Sequence, residues 1–166
     1  MSAFSADLRR LATEVLETCR AHGLTIATAE SCTGGLVASC LTEIAGSSDV
    51  VDRGFVTYSN AAKVELLGVA LATLEQHGAV SAETAGEMLE GALARSPADL
   101  VVAITGIAGP GGGSAAKPVG LVFIGVQRQG WDAVIERHVF SGDRAAVREA
   151  SLQRALALLL AAAADR

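Results

Sequence analysis

A serine, Ser31, lies between two apolar segments, within the sequence AESCTGG of residues 29–35. The apolar run of residues 24–27 predicts a short buried strand before it, and apolar side chains at helical spacing predict a helix after the glycines. The first amides of a helix lack intrahelical partners and stabilise anionic charge that develops nearby. Ser31 is therefore a candidate nucleophile. The structural alternative is a helix cap, a role that Thr33 could also fill.

Two more side chains could assist a serine nucleophile if the fold brings them to it. Lys63 is expected in the first turn of a helix that begins at Asn60 and ends at Gly68, with Leu66 and Leu67 on its buried side. A lysine in a dry site can lose its proton and act as a base, but most helical lysines lie in solvent.

Tyr58, the only tyrosine, ends the strand-like run of residues 50–58. Its hydroxyl could orient a substrate or relay a proton, and packing in the core is the structural alternative.

A glycine-rich segment, TGIAGPGGGS of residues 105–114, follows the apolar run of residues 100–104. Successive glycines let backbone amides approach an anion closely, as a phosphate cradle requires. The segment has neither the Gly-Lys-Ser/Thr ending of an ATPase loop nor the spacing of a dinucleotide-binding fingerprint. The alternatives are a phosphate cradle, to which Lys117 could add a cation, and a mobile loop without a ligand.

The elements that must position these residues alternate along the chain. Helices are predicted over residues 6–21, 36–44, 60–67, 82–95 and from Asp143 onwards, and strands over residues 24–27, 50–58, 100–104, 119–126 and 131–140. The last two strands form a hairpin, whereas the earlier ones are separated by helices. This order predicts a three-layer α/β/α sandwich around a mixed, mostly parallel sheet.

Composition limits the possible functions. A chain of 166 residues, 51% of them hydrophobic, is expected to form a single domain over residues 1–166. A net charge of -5 argues against a nucleic-acid partner.

The three cysteines lack metal-ligand spacing and are expected to be reduced, which points to the cytoplasm. No signal peptide or membrane span is predicted. The histidines are expected to be structural, because His138 has no acidic or thiol partner at a spacing that suggests a metal site, and no metal site is predicted.

Several blocks of this sequence resemble the CinA C-terminal domain family. They are residues 28–35, residues 56–60 with Lys63, residues 105–110, residues 117–120, and residues 142–144 with Arg148. The blocks occur in the family's order and cover nearly the whole chain. Members with this activity are nicotinamide-nucleotide amidases. The resemblance therefore implies hydrolysis of the carboxamide of nicotinamide mononucleotide to nicotinic acid mononucleotide and ammonia, with no metal or organic cofactor.

The resemblance also implies roles for individual residues. Ser31 attacks the carboxamide, Lys63 accepts its proton, and Tyr58 helps to orient this pair. Amides near Thr33 and Gly34 hold the oxyanion.

A nucleotide substrate also needs a phosphate site. Thr105 and the glycines after it are expected to bind the ribose phosphate, with Arg144 as a cationic partner. Glu30 is expected to fix either the turn or Lys63. The expected substrate-binding residues are Glu30, Thr33, Gly34, Thr105, Gly106, Gly109, Gly112 and Arg144.

Two departures from the family limit this transfer, and two other functions stay open. Full-length members carry another, N-terminal domain linked to pyrophosphatase activity, which is not expected here. Residues 52–54 (DRG) stand where a Gly-Gly pair is expected, close to the entrance of the site.

The alternative functions are a non-catalytic nucleotide- or protein-binding module related to competence or damage-inducible proteins, and a hydrolase of another amide or ester. A homodimer or larger homo-oligomer is expected, paired through helices such as residues 145–164.

Overall fold

Five strands form one mixed sheet in the computed structural model, which describes residues 1–165. The strands are β1 (Ile26–Glu30), β2 (Val51–Val56), β3 (Leu100–Gly106), β4 (Leu121–Arg128) and β5 (Val134–Val139). The helices are α1 (Ala6–Ala21), α2 (Leu36–Thr42), α3 (Asn60–Leu67), α4 (Leu71–His77), α5 (Ala82–Ala94) and α6 (Arg144–Ala164), with a short 3-10 turn at Ser47–Asp49.

The strand order, β2-β1-β3-β4-β5, places the chemistry-bearing segments side by side. β1 pairs in parallel with β2 and β3, β4 runs antiparallel to β3, and β5 runs antiparallel to β4. Four strands therefore point in one direction. Glu30 is in register with Val56 and with Ile104, so the carboxyl ends of three parallel strands meet at one edge of the sheet. Open α/β sheets bind their ligands at this edge.

Helices cover both faces of the sheet, which confirms the predicted three-layer sandwich. α1, α2 and α6 enclose the larger apolar core, and α3, α4 and α5 enclose the smaller one. The apolar side chains of α6, among them Leu152, Leu156 and Leu159, are buried in the larger core. They are therefore not a surface on which a second copy could pack, and the predicted homo-oligomer stays a prediction.

Local capping explains why several helices begin where the sequence predicts. The side chains of Ser59, Ser81 and Asp143 each accept a hydrogen bond from an amide in the first turn of α3, α5 and α6. The buried side of α3 differs from the prediction. Leu66 is 42% exposed, and Lys63 occupies a buried position beside Leu67.

Other sequence expectations concern cysteines, histidines and membranes. The three cysteines are free and buried, and burial raises the pKa of each thiol to about 11. The His138 Nε2 lies 2.7 Å from the Glu136 carboxylate, which also binds Arg154. Over residues 1–165, no helix is both long and apolar enough to cross a membrane. No cluster of three or more His, Cys, Asp or Glu side chains in that range could hold a metal ion.

Candidate active site

A cavity of about 280 Å³ opens where the carboxyl ends of β1, β2 and β3 meet. Eight residues singled out from the sequence line it: Ser31, Tyr58, Lys63, Thr105, Gly106, Gly109, Gly112 and Arg144. Glu30, Thr33 and Gly34 are not among its lining residues. Sequence reasoning missed Cys32, Asn60 and Ala79, which also contribute to the wall. The first two lie inside the blocks that carry the family resemblance.

The fold brings Ser31 and Lys63 into direct contact. Ser31 follows β1, and its amide donates to the carbonyl of Ile104 on the neighbouring strand. Lys63 reaches it from α3, and the Lys63 Nζ lies 3.0 Å from the Ser31 Oγ. Ser31 is 8% exposed and Lys63 is 1% exposed, so the pair lies at the closed base of the cavity.

The surroundings of Lys63 make its charged form less favourable than in water. Its Nζ donates to the carbonyl of Thr57 over 2.8 Å and lies 3.5 Å from the carbonyl of Tyr58. No ion pair within residues 1–165 includes Lys63. Burial without a carboxylate partner lowers the pKa of the Lys63 amine below its usual 10.5. Once the amine has lost a proton, it keeps two N–H donors, which the two carbonyls can accept, and its lone pair can then face Ser31.

The turn after Ser31 differs in detail from the predicted helix start. The amide of Gly34 donates to the Ser31 carbonyl over 2.9 Å, so it already has an acceptor, and its use for an oxyanion stays a prediction. Within residues 1–165, no oxygen accepts a hydrogen bond from the amides of Cys32 and Thr33. These two amides therefore remain available for a ligand.

Glu30 resolves the alternative that the sequence left open. Its buried carboxylate accepts hydrogen bonds from the amides of Val37 and Ala38, at 2.9 and 3.1 Å, in the first turn of α2. Glu30 therefore fixes the turn and not Lys63, and its negative charge lies at the positive end of the helix. The Thr33 hydroxyl has no partner within the described residues, so the suggested Thr33 side-chain cap is wrong.

Tyr58 faces the outer part of the cavity. Its side chain is 59% exposed, which excludes the core-packing alternative. The hydroxyl accepts a hydrogen bond from Arg144 over 2.8 Å, and Arg144 also donates to the carbonyl of Gly109 over 2.8 Å. Only the main-chain carbonyl of Tyr58 approaches Lys63. The hydroxyl therefore contacts the cationic wall and not the Ser31–Lys63 pair.

The glycine-rich loop also lines the cavity, through Gly109, Gly111 and Gly112. Within residues 1–165, nothing accepts a hydrogen bond from the amides of Gly109, Gly111 and Gly112. Such a set of unpaired amides can hold an anion. The Thr105 hydroxyl donates to the carbonyl of Ala79 over 2.7 Å, which ties the end of β3 to the segment before α5.

Lys117 lies outside this cavity. Its ammonium donates to the carbonyl of His77, so the suggestion that it adds a cation to the loop is wrong. Arg144 is the cation that lines the cavity.

Comparison with known proteins decides the family. The model of the CinA C-terminal domain matches residues 8–163. The chain belongs to the CinA C-terminal domain family. This membership confirms the resemblance carried by the sequence blocks.

Some relatives of this CinA C-terminal domain match it over most of their own length. A protein of Enterobacter agglomerans named "Nicotinamide-nucleotide amidohydrolase PncC" is 53% identical over 85% of this chain and 86% of its own length. A protein of the same name from Escherichia coli (strain K12) is 49% identical over 93% of both. The solved structure of a competence/damage inducible protein, CihA from Agrobacterium tumefaciens, is 51% identical with a TM-score of 0.95, covering 97% of this chain and 98% of the other.

Proposed function

We propose that this CinA C-terminal domain hydrolyses the carboxamide of nicotinamide mononucleotide to nicotinic acid mononucleotide and ammonia. Two relatives that match over most of their length are named nicotinamide-nucleotide amidohydrolases. Their similarity to this chain supports the same class of enzyme. The observation that carries the proposal is the buried contact of 3.0 Å between Ser31 Oγ and Lys63 Nζ. A serine with an adjacent uncharged amine has the nucleophile and the base that amide hydrolysis requires.

The first half of the reaction forms an acyl-enzyme. The Ser31 Oγ forms a bond to the carboxamide carbon while its proton moves to the Lys63 Nζ, and the carbonyl oxygen takes the negative charge. The tetrahedral intermediate then collapses as the carbon–nitrogen bond breaks. Lys63 gives its proton to the departing nitrogen, which leaves as ammonia, and the pyridine carbonyl remains as an ester on Ser31.

The second half repeats these steps with water. Lys63, uncharged again, accepts a proton from a water that attacks the ester carbon. The bond to Ser31 then breaks, and Lys63 returns the proton to the Ser31 Oγ. The same amine serves as base and acid in each half, which requires a pKa below that of an ordinary lysine. Burial of Lys63 lowers its pKa in this direction.

The oxyanion and the phosphate are assigned to different walls of the cavity. The amides of Cys32 and Thr33 have no acceptor within residues 1–165 and follow directly after the nucleophile, so they are the proposed oxyanion donors. The loop amides of Gly109 and Gly112, with the guanidinium of Arg144, are the proposed phosphate site. An anchored phosphate would hold the pyridine carboxamide over Ser31.

An assay of ammonia release tests the proposal. Wild type and S31A are compared on nicotinamide mononucleotide, with free nicotinamide and the dinucleotide as further substrates. S39A is the matched control, because Ser39 is an exposed serine on α2 outside the cavity. We expect release from the mononucleotide by wild type and S39A and none by S31A, while S31A still binds the product. A folded wild type that releases no ammonia would refute the proposal and favour a binding module.

A further inference from the structure

We infer that Arg148 is a positioning residue for the oxyanion site, because it fixes the direction of the peptide groups that follow Ser31. The inference rests on the proposed amidase function. Arg148 belongs to α6 and does not line the cavity, so it does not act on the substrate by contact. It acts through the turn of residues 31–34.

The carbonyls of Ser31, Cys32 and Thr33 each have a defined donor. The Ser31 carbonyl accepts from the Gly34 amide over 2.9 Å. The Cys32 carbonyl accepts from the Arg148 Nε over 3.2 Å. The Thr33 carbonyl accepts from the Arg148 Nη2 and from the Leu36 amide, each over 3.1 Å. Arg148 therefore holds two consecutive carbonyls with one planar guanidinium.

Planarity of the peptide bond converts this contact into a direction for the next amide. In a trans peptide the N–H points opposite to the C=O of the same unit. Since the Cys32 carbonyl points at Arg148, the Thr33 amide points away from it. The Gly34 bond fixes the Ser31 carbonyl in the same manner, and so fixes the Cys32 amide. The two unpaired amides are thus oriented before any substrate binds.

The guanidinium is suited to this task in a way that a lysine is not. Its nitrogens form a rigid fork that can hold two acceptors at once, whereas an ammonium is a point charge on a flexible stem. Without the fork, the Cys32 carbonyl would lose its donor and could rotate toward the cavity, whereas the Thr33 carbonyl would keep the Leu36 amide. A carbonyl oxygen there would repel the oxyanion that the amides should stabilise.

The test compares three arginine variants of the full chain. R148M removes the fork, and R148K keeps a positive charge without it. R154M is the matched control, because Arg154 lies on the same helix and binds the Glu136 carboxylate, away from the Ser31 turn. Steady-state kinetics are measured on nicotinamide mononucleotide. Binding is measured for nicotinic acid mononucleotide and for a substrate analogue with a boronic acid in place of the carboxamide, which forms a tetrahedral adduct with Ser31.

For R148M we expect kcat to fall by about 10- to 100-fold with little change in KM, because loss of one oxyanion donor costs about 100- to 1000-fold in other enzymes. Boronate affinity should fall in parallel while product affinity stays unchanged, and R148K should lie between wild type and R148M. R154M should lose thermal stability, but its boronate affinity should not fall relative to its product affinity.

Two outcomes would overturn the inference: wild-type kcat and boronate affinity in R148M, or equal losses in boronate and product binding. These are distinct from failure of the proposed function, in which wild type itself would release no ammonia. If R148M does not fold, R148K decides by the same ratio of boronate to product affinity.

Discussion

Replacement of Lys63 by methionine should remove activity and change how stability depends on pH. Methionine matches the length of the lysine stem and carries no titrating group. Lys63 is 1% exposed, and its pKa is lowered by burial, so the unfolded chain takes up a proton that the folded chain does not hold. Folding of wild type therefore releases a proton between the lowered pKa and 10.5.

The sign and the magnitude follow from linkage. In that window the unfolded state binds more protons, so the wild-type free energy of unfolding rises with pH by about 1.4 kcal/mol per pH unit for this one group. The stability is complete above 10.5 and is lost as pH falls toward the folded pKa. K63M leaves the buried Thr57 carbonyl without its donor, at a cost of about 1–3 kcal/mol that does not depend on pH.

The assay is urea denaturation of wild type and K63M from about pH 6 to about pH 10. Other titrating groups occur in both proteins, so the difference between the two free energies isolates Lys63. K117M, at the chain's other lysine, is the matched control for the substitution itself. We expect the difference between wild type and K63M to grow with pH in the stated window. Parallel curves for these two proteins would refute a lowered pKa of Lys63.

The remaining predictions concern the packing of α3 and the outer wall of the cavity. An added Cβ at Gly91 would lie 1.9 Å from the carbonyl oxygen of Leu67, which follows Lys63 by one turn of α3. G91A should therefore lower the free energy of unfolding by about 1–3 kcal/mol and also reduce kcat. G86A, on the same helix with its nearest neighbour at 3.5 Å, should leave kcat unchanged, and equal kcat in the two variants would contradict this account. Y58F removes only a hydroxyl that binds Arg144, so KM should rise by a few-fold (about 1 kcal/mol) while the pH profile of kcat is retained. A displaced pH profile would instead place the hydroxyl in proton transfer.

The order and type of the main elements could be predicted because their signals are local. Ser81 and Asp143 cap helices where the sequence places them, and the apolar run that begins at Leu100 is a buried strand. Strand ends were less accurate. β1 continues through Glu30, since this buried carboxylate is stabilised by amides of α2 that local pattern does not reveal.

The sequence predicted which residues belong to the site better than it predicted which atoms they contact. The family blocks identify Ser31, Lys63 and Arg144, and all three line one cavity. The direction of each side chain depends on residues far away in sequence. The Tyr58 hydroxyl, for example, binds Arg144, which lies 86 residues later in the chain. The sequence near Tyr58 does not reveal this partner.

The sequence by itself determined the layers of the fold, the turn that carries a serine, and the family, because periodicity, capping and motif spacing are properties of neighbouring residues. Only the tertiary structure decided that Ser31 and Lys63, 32 residues apart, touch at 3.0 Å. That contact depends on the parallel register of β1 and β2 and on the packing of α3 against α5. The same packing buries an amine without a carboxylate partner, and burial lowers its pKa toward the range that a base requires.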